Sequence, residues 1–186
     1  PVANLDTFKL FTAFCAARGL TMFGFDISNA FLHAEIEETL FCDPPKGWTN
    51  FDTKQQCWQL LRALYGTKQA GHLWNKLLVK FLTEFGFVQC EADPCLFVYN
   101  RDGVFAALVL WVDDIAVGCD VTFKDRFLSA LRHNFKVSDS ASGQEVELFI
   151  GLTVDQRGDF ITLSHKHFIS SEIKRLGLEN SRKVST

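Results

Sequence analysis

Several things are scarce in this sequence of 186 residues, and each scarcity removes a class of protein. No apolar run approaches the roughly 20 residues that a membrane-spanning helix needs, so no membrane partner is expected. Excess positive charge is missing: 19 Lys and Arg against 22 Asp and Glu leave a formal charge of -3. Phosphate contacts demand Lys and Arg, so a long-range field alone does not make this chain a nucleic-acid binder. Any such role must rest on local basic residues, on metal ions or on a part outside these residues. The six cysteines (Cys15, Cys42, Cys57, Cys90, Cys95, Cys119) contain no C-x-x-C pair and mostly lie in apolar stretches. That pattern predicts buried, reduced thiols in a reducing compartment rather than a zinc site or a disulfide framework. There is no signal peptide and no initial Met; Pro1-Val2-Ala3 reads as the middle of something longer and supports no targeting conclusion.

What is there is apolar and aromatic, 47% hydrophobic with 19 Phe, in a chain long enough for one domain that buries roughly 70% of its unfolded surface. Nine consecutive apolar residues, Val104 to Val112, run into Asp113-Asp114, and apolar residues resume at Ile115. This predicts a buried strand, a tight turn at the acidic pair and a returning strand over Ile115–Val117. Leu20–Phe25 is a second short apolar segment that ends in an acid, Asp26. Asp is a common turn residue, and an isolated D-D is ordinarily structural. A third carboxylate in the same setting changes the weighing, because ionised carboxylates beside an apolar core cost several kcal/mol each unless solvated, paired or metal-bound. Two strands that both end in Asp can deliver their acids to one edge of one sheet, where divalent cations relieve the repulsion.

Around these strands, Asn4 to Arg18 shows helical spacing with Asn4 as N-cap and Gly19 as stop. Asp26 to Ile36 turns into a short helical segment that keeps Phe31 and His33 near Asp26. Thr39–Cys42 and Cys57–Leu60 read as strands flanking a Pro44-Pro45 loop. Gly71 to Phe85 carries the apolar i, i+3, i+4 stripe without a miss. Phe97–Tyr99 adds a strand, and Arg101-Asp102-Gly103 a turn. Thr122 with Asp125 resembles a capping box for a second long helix that buries Phe127, Leu128, Leu131 and Phe135. Ser138–Gly143 is the most loop-like segment. Leu148–Val154 and Phe160–Leu163 pair across Gln156-Arg157-Gly158-Asp159, and Ser164 caps a last helix ending at Leu176-Gly177. No repeat or linker divides the chain, and hairpins outnumber crossovers. The expected fold is α+β: an antiparallel sheet with two main helices packed on one face, and Asp26, Asp113 and Asp114 at its edge.

Five motifs, F-D-I-S-N-A-F-L-H-A (Phe25–Ala34), L-Y-G-T-K-Q-A-G-H-L-W (Leu64–Trp74), D-P-C-L-F (Asp93–Phe97), W-V-D-D (Trp111–Asp114) and F-I-G-L (Phe149–Leu152), follow one another in this order. In order and spacing they resemble the reverse transcriptase of copia-type LTR retrotransposons, over nearly the whole chain. The resemblance implies a polymerase palm and RNA-directed DNA polymerase activity, in which a primer 3′-hydroxyl attacks a dNTP with the help of two Mg²⁺, or Mn²⁺, roughly 3.5–4 Å apart. It implies that Asp26 and Asp113 hold the metals, with Asp114 in support and the Ile27 backbone carbonyl as an extra oxygen ligand. Asn29 and Ala30 would turn backbone N–H groups to the phosphates. Phe31 would close off the space of a 2′-hydroxyl, although alone it reads as one more core ring. Gln69 would contact the incoming nucleotide, with Lys68 beside a phosphate; Trp111 would support the primer end, and Ile150 and Gly151 would form the primer grip. The implied partners are an RNA template, a DNA primer, dNTPs and the rest of a retrotransposon polyprotein, in a cytoplasmic particle or the nucleus rather than outside the cell.

The departures from the family pattern are Gly71-His72 where Pro-Arg is usual, Trp111 for Tyr, Ala34 for Gly, Thr67 for Leu, and the Ser138–Gly143 loop for Asp-Leu-Gly. None touches the three acids. Residues 1–186 are expected to be a single palm domain, a fragment lacking most of the fingers, the thumb and RNase H. A truncated or decayed, inactive remnant is the alternative. An RNA-binding sheet of the RRM type shares the topology logic, but acids at its edge would repel phosphate.

Overall fold

The computed structural model describes residues 2–48, 52, 56–139, 142–158 and 160–181. The first helix, α1 (Leu5–Arg18), starts at Asn4, whose side chain accepts a hydrogen bond from the Asp6 N–H, and stops at Gly19 in the left-handed region (φ 62°). β1 (Thr21–Asp26) follows. The helical segment expected over Asp26–Ile36 is only a 3₁₀ turn, Ala30–His33, because Asn29 is left-handed (φ 55°) and β2 (Glu35–Cys42) has already begun at Glu35. β2 is therefore longer than the Thr39–Cys42 strand expected. It pairs antiparallel with β3 (Trp58–Arg62) as a separate two-stranded ribbon, from Glu35↔Arg62 to Cys42↔Trp58. The uninterrupted stripe folds as α2 (Ala70–Phe85), which ends at left-handed Gly86.

β4 (Val88–Gln89), β5 (Leu96–Arg101), β6 (Val104–Trp111) and β7 (Asp114–Cys119) make an antiparallel meander. β1 adds to β7, and β8 (Gln144–Glu145) adds to β1, giving a six-stranded sheet in the order β4-β5-β6-β7-β1-β8. Between β7 and β8 lies α3 (Val121–Asn134). Its cap is Asp120, which accepts from the Phe123 N–H at 2.7 Å, not Thr122; β7 ends at Cys119, so the helix can start a residue sooner than the capping box implied.

After β8 the chain forms a second antiparallel sheet of β9 (Leu148–Phe149), β10 (Leu152–Arg157) and β11 (Phe160–Ser164). The single strand expected over Leu148–Val154 is broken at Ile150-Gly151, both with positive φ, into a tight hairpin. Asp159, in the expected second turn, lies outside the described residues. Ser164 pairs with Thr153 as the last residue of β11, so it does not cap α4 (Lys166–Arg175); His165 takes that position without a side-chain bond.

Strand alternation assigns the two faces of the main sheet. Phe25 meets Phe127 of α3 edge-on at 5.2 Å, and Phe81 and Phe85 of α2 lie 6.3 and 5.3 Å from the same ring. α2 and α3 thus cover one face, through an aromatic cluster in which each well-oriented ring pair adds about 0.5–1.5 kcal/mol. The opposite face belongs to α1, where a Cβ on Gly118 would lie 2.3 Å from the Cys15 sulfur and where Phe14 meets Phe105. The fold is α+β and antiparallel as expected, with two main helices on one face and a third long helix, α1, on the other.

Candidate active site

The acidic edge is built by register. Asp26 of β1 stands opposite Asp114 of β7, and Asp114 stands opposite Trp111 of β6. By alternation from Met22↔Gly118 and Phe105, all three side chains are on the α1 face, in one row across three strands. The backbone of Asp26 points away from β7: its N–H donates to Ser142 Oγ at 3.0 Å, and its carbonyl accepts from the Ser138 N–H at 3.0 Å. Asp26 and Asp114 are therefore a non-hydrogen-bonded pair, the kind in which facing side chains lie closest, with Cα atoms about 4.5 Å apart. One residue on, the backbone polar groups of Ile27 face the β7 side, while Ile27 itself bridges to Val137 and is fully buried.

The turn between β6 and β7 is Val112-Asp113 rather than Asp113-Asp114. Interior strand β7 gains a pairing residue by starting at Asp114, which is matched on both sides. The consequence is strain, because Val112 sits at φ 59°, a region that β-branched residues avoid. Trp74 of α2 offsets it: its indole N–H donates to the Val112 carbonyl at 2.9 Å from a buried position. Asp113 is thereby held at the apex of the turn.

The charges sense one another. Partial burial first, then the charges of Asp113 and Asp26, push the Asp114 carboxyl above its ordinary value. Burial, then Asp113 and Asp26, likewise push the Tyr65 phenol up. None of the three acids has a cationic partner among the described residues. Nor do three or more His, Cys, Asp or Glu among the described residues converge tightly enough to cage an ion by themselves. Mg²⁺ usually takes one or two carboxylates and completes its shell with water and substrate phosphates, so this donor set of hard oxygens fits it as an open site. A cleft of about 160 Å³ adjoins the pair, lined by Gly24, Asp26 and Asp114 on one side and by Glu145–Phe149 on the other.

The other expected residues fall in several places. Phe31 is half-buried in the 3₁₀ turn after Asp26, with Asn29 and buried Ala30 just before it. Gln69 is the N-cap position of α2 and Lys68 precedes it; no hydrogen bond or ion pair joins their side chains to the acids among the described residues. Ile150 and Gly151 form the β9–β10 turn, and adjacent Leu148 and Phe149 line the acidic cleft. All six cysteines are free as expected, but only Cys15, Cys95 and Cys119 are buried, Cys57 being exposed; burial pushes the Cys15 and Cys119 thiols up to about 12.

A family described as reverse transcriptase (RNA-dependent DNA polymerase) matches residues 1–186. The chain belongs to that family. It is 26% identical over 188 residues to the retrovirus-related Pol polyprotein from transposon TNT 1-94 of Nicotiana tabacum, covering 100% of this chain and 14% of that protein. With the Pol polyprotein from transposon RE1 of Arabidopsis thaliana the figures are 27% over 187 residues, 100% and 13%. A putative transposon Ty5-1 protein of Saccharomyces cerevisiae is 29% identical over 148 residues, covering 78% of this chain and 47% of the relative. The copia-type resemblance of the five motifs is thus borne out, and the chain spans about one seventh of the plant polyproteins it matches.

Three residues of this reverse transcriptase domain were not singled out from the sequence. Tyr65 and Trp74 both lie in the Leu64–Trp74 motif, and Trp74 also in the apolar stripe of α2; Tyr65 meets Phe31, and Trp74 holds the Val112 turn. Ser142 had no such signal. It is buried in the segment that reads as the loosest of the chain, yet its hydroxyl fixes the backbone of Asp26, and the neighbouring Gly143 N–H donates to the Gly24 carbonyl at 2.7 Å.

Proposed function

We propose that residues 1–186 act as a single palm domain of an RNA-directed DNA polymerase, joining dNTPs to a primer 3′-hydroxyl on an RNA template. The observation that carries this reading is the Asp26–Asp114 cross-strand pair beside Asp113 in a strained, braced turn, three carboxylates without a cationic partner among the described residues. Asp26 and Asp113, with the Ile27 carbonyl and with Asp114 in support, would hold two Mg²⁺ or Mn²⁺. When bound, such ions lower the pKa of the primer hydroxyl and neutralise charge on the triphosphate and the leaving pyrophosphate. The protein's own groups would orient the reactants. Trp111, in the same row as Asp114 and Asp26, offers an aromatic platform for the primer end, and the Ile150-Gly151 turn would hold the primer from across the cleft. Phe31 would limit the space at the sugar, while Gln69, Lys68 and the backbone of Asn29 and Ala30 would meet the nucleotide.

With a charge of -3, the chain offers little field for a template duplex, so much of the hold on template and primer would come from elsewhere in a Pol polyprotein such as its relatives are. An intracellular location, in a particle or the nucleus, goes with this reading. No helix among the described residues is long and apolar enough to cross a membrane.

Titration calorimetry with Mg²⁺ and Mn²⁺ tests the metal site: binding is expected in the wild type and should be lost in Asp113→Asn. Primer extension by this chain, beside a longer version carrying the flanking coding sequence, tests the activity. Extension by the longer version that survives Asp113→Asn would overturn the assignment of roles. Metal binding without extension in either would identify an inactive remnant, the reading that exposed Gly71-His72 in place of a basic side chain favours.

A further inference from the structure

The loop between β3 and α2 brings Tyr65 to a place that its sequence position does not explain. Its ring centroid lies 4.5 Å from that of Phe31 with the planes tilted by 42°, across 34 positions of sequence (65 − 31). Tyr65 is 52% exposed, and Phe31 is the only aromatic ring that it meets among the described residues. Phe31 in turn hangs from a 3₁₀ turn, not a stable helix, and β1 leads into that turn directly from Asp26. The inner side of the Phe31 ring packs against the core beside Ala34, Ala63, Ala70 and Leu73, which leaves its outer side to be held by something else. Tyr65 covers that side from the solvent.

We propose that Tyr65 is a positioning residue for sugar selection: by stacking on Phe31 it fixes the ring against which a 2′-hydroxyl would collide. The assignment rests on the polymerase reading above and deepens it. Its logic is steric. A ribose differs from a deoxyribose by one hydroxyl, and excluding so small a group requires a wall that does not move. An apolar wall discriminates against an added hydroxyl by about 100-fold at best, and a ring free to swing discriminates hardly at all. The aromatic face of Tyr65, not its hydroxyl, carries the function, so Phe at this position should serve equally well.

The test is equilibrium binding of dATP and ATP in the presence of Mg²⁺ to this chain, as wild type, Tyr65→Ala, Tyr65→Phe, Phe31→Ala and the double variant Tyr65→Ala/Phe31→Ala. The wild type and Tyr65→Phe should prefer dATP. Tyr65→Ala should lose most of that preference, chiefly by gaining affinity for ATP, and in the double variant it should add nothing to the loss caused by Phe31→Ala. Thermal melting of Tyr65→Ala should stay close to wild type because the side chain is exposed, which separates the effect from misfolding. If Phe31→Ala loses the preference and Tyr65→Ala keeps it, the role of Tyr65 is overturned while the polymerase reading stands. A wild type that does not distinguish the two nucleotides overturns the role of Tyr65, and nucleotide binding indifferent to Asp113→Asn overturns the polymerase reading as well.

Discussion

Val112 shows how a single residue can carry the cost of a site. Its left-handed backbone would relax in a wider turn, but the Trp74 indole holds its carbonyl, and the two-residue turn keeps Asp113 at the apex. Trp74→Phe removes that donor and leaves a small void, and should cost about 2 kcal/mol in chemical denaturation. Its loss should also weaken Mg²⁺ binding by loosening Asp113. Asp114 makes the opposite prediction for stability. A carboxyl whose pKa is raised on folding favours the fold when protonated, so its contribution is fully present below the ordinary carboxylate value and is lost as pH rises through the raised one. In chelator-treated protein, Asp114→Asn should therefore melt above wild type at pH 7, and the gap should close on acidification. An unchanged melting temperature at pH 7 would mean that the three acids do not repel one another as their spacing implies.

Among elements, α1 is tied to the rest of the fold at its start and again near its end. At its start, Asp93 accepts hydrogen bonds from the Asn4 N–H and the Thr7 hydroxyl while closing its own turn on the Cys95 N–H. Burial raises the Asp93 carboxyl, but these three donors outweigh it and hold the pKa below the usual range. The sign is thus reversed from Asp114: the stabilisation is present above the ordinary carboxylate value and fades as pH falls through the lowered one. Asp93→Ala should cost about 2 kcal/mol at neutral pH, with the difference from wild type shrinking in acid denaturation. Further along, Gly118 gives the Cys15 sulfur its room. Gly118→Ala should cost about 1–3 kcal/mol through overpacking. Combined with Cys15→Ala, which takes the sulfur away, it should cost less than the sum of the two single changes.

For the whole molecule, the main consequence is that the acidic edge is an unmatched charge which a divalent ion would neutralise. Mg²⁺ should raise the melting temperature in proportion to the logarithm of its concentration once above its Kd, as expected for a ligand of the native state alone. Asp26→Asn should remove most of that dependence. Glu37→Gln should leave that dependence as it is in wild type, since Glu37 pairs with Lys76 at 2.8 Å and is not one of the three acids.

The stripe of α2, the short apolar strands, and the caps at Asn4 and Gly19 were all readable in the sequence, because each follows from residues a few positions apart. So was the family, since motif order is a property of the chain. The sequence also singled out Asp26, Asp113 and Asp114, but not how they face one another. Which residue stands opposite Asp26, which face α1 covers, how Tyr65 meets Phe31 and why Ser142 touches Asp26 from 116 residues away were decided by tertiary structure. The physical reason is that strand register and turn placement minimise a sum over both faces of the sheet: one residue of slip would turn every apolar side chain of β7 the wrong way. Local periodicity is satisfied equally by a turn at Asp113-Asp114 and by one at Val112-Asp113, and only the packed partners of β7 choose between them.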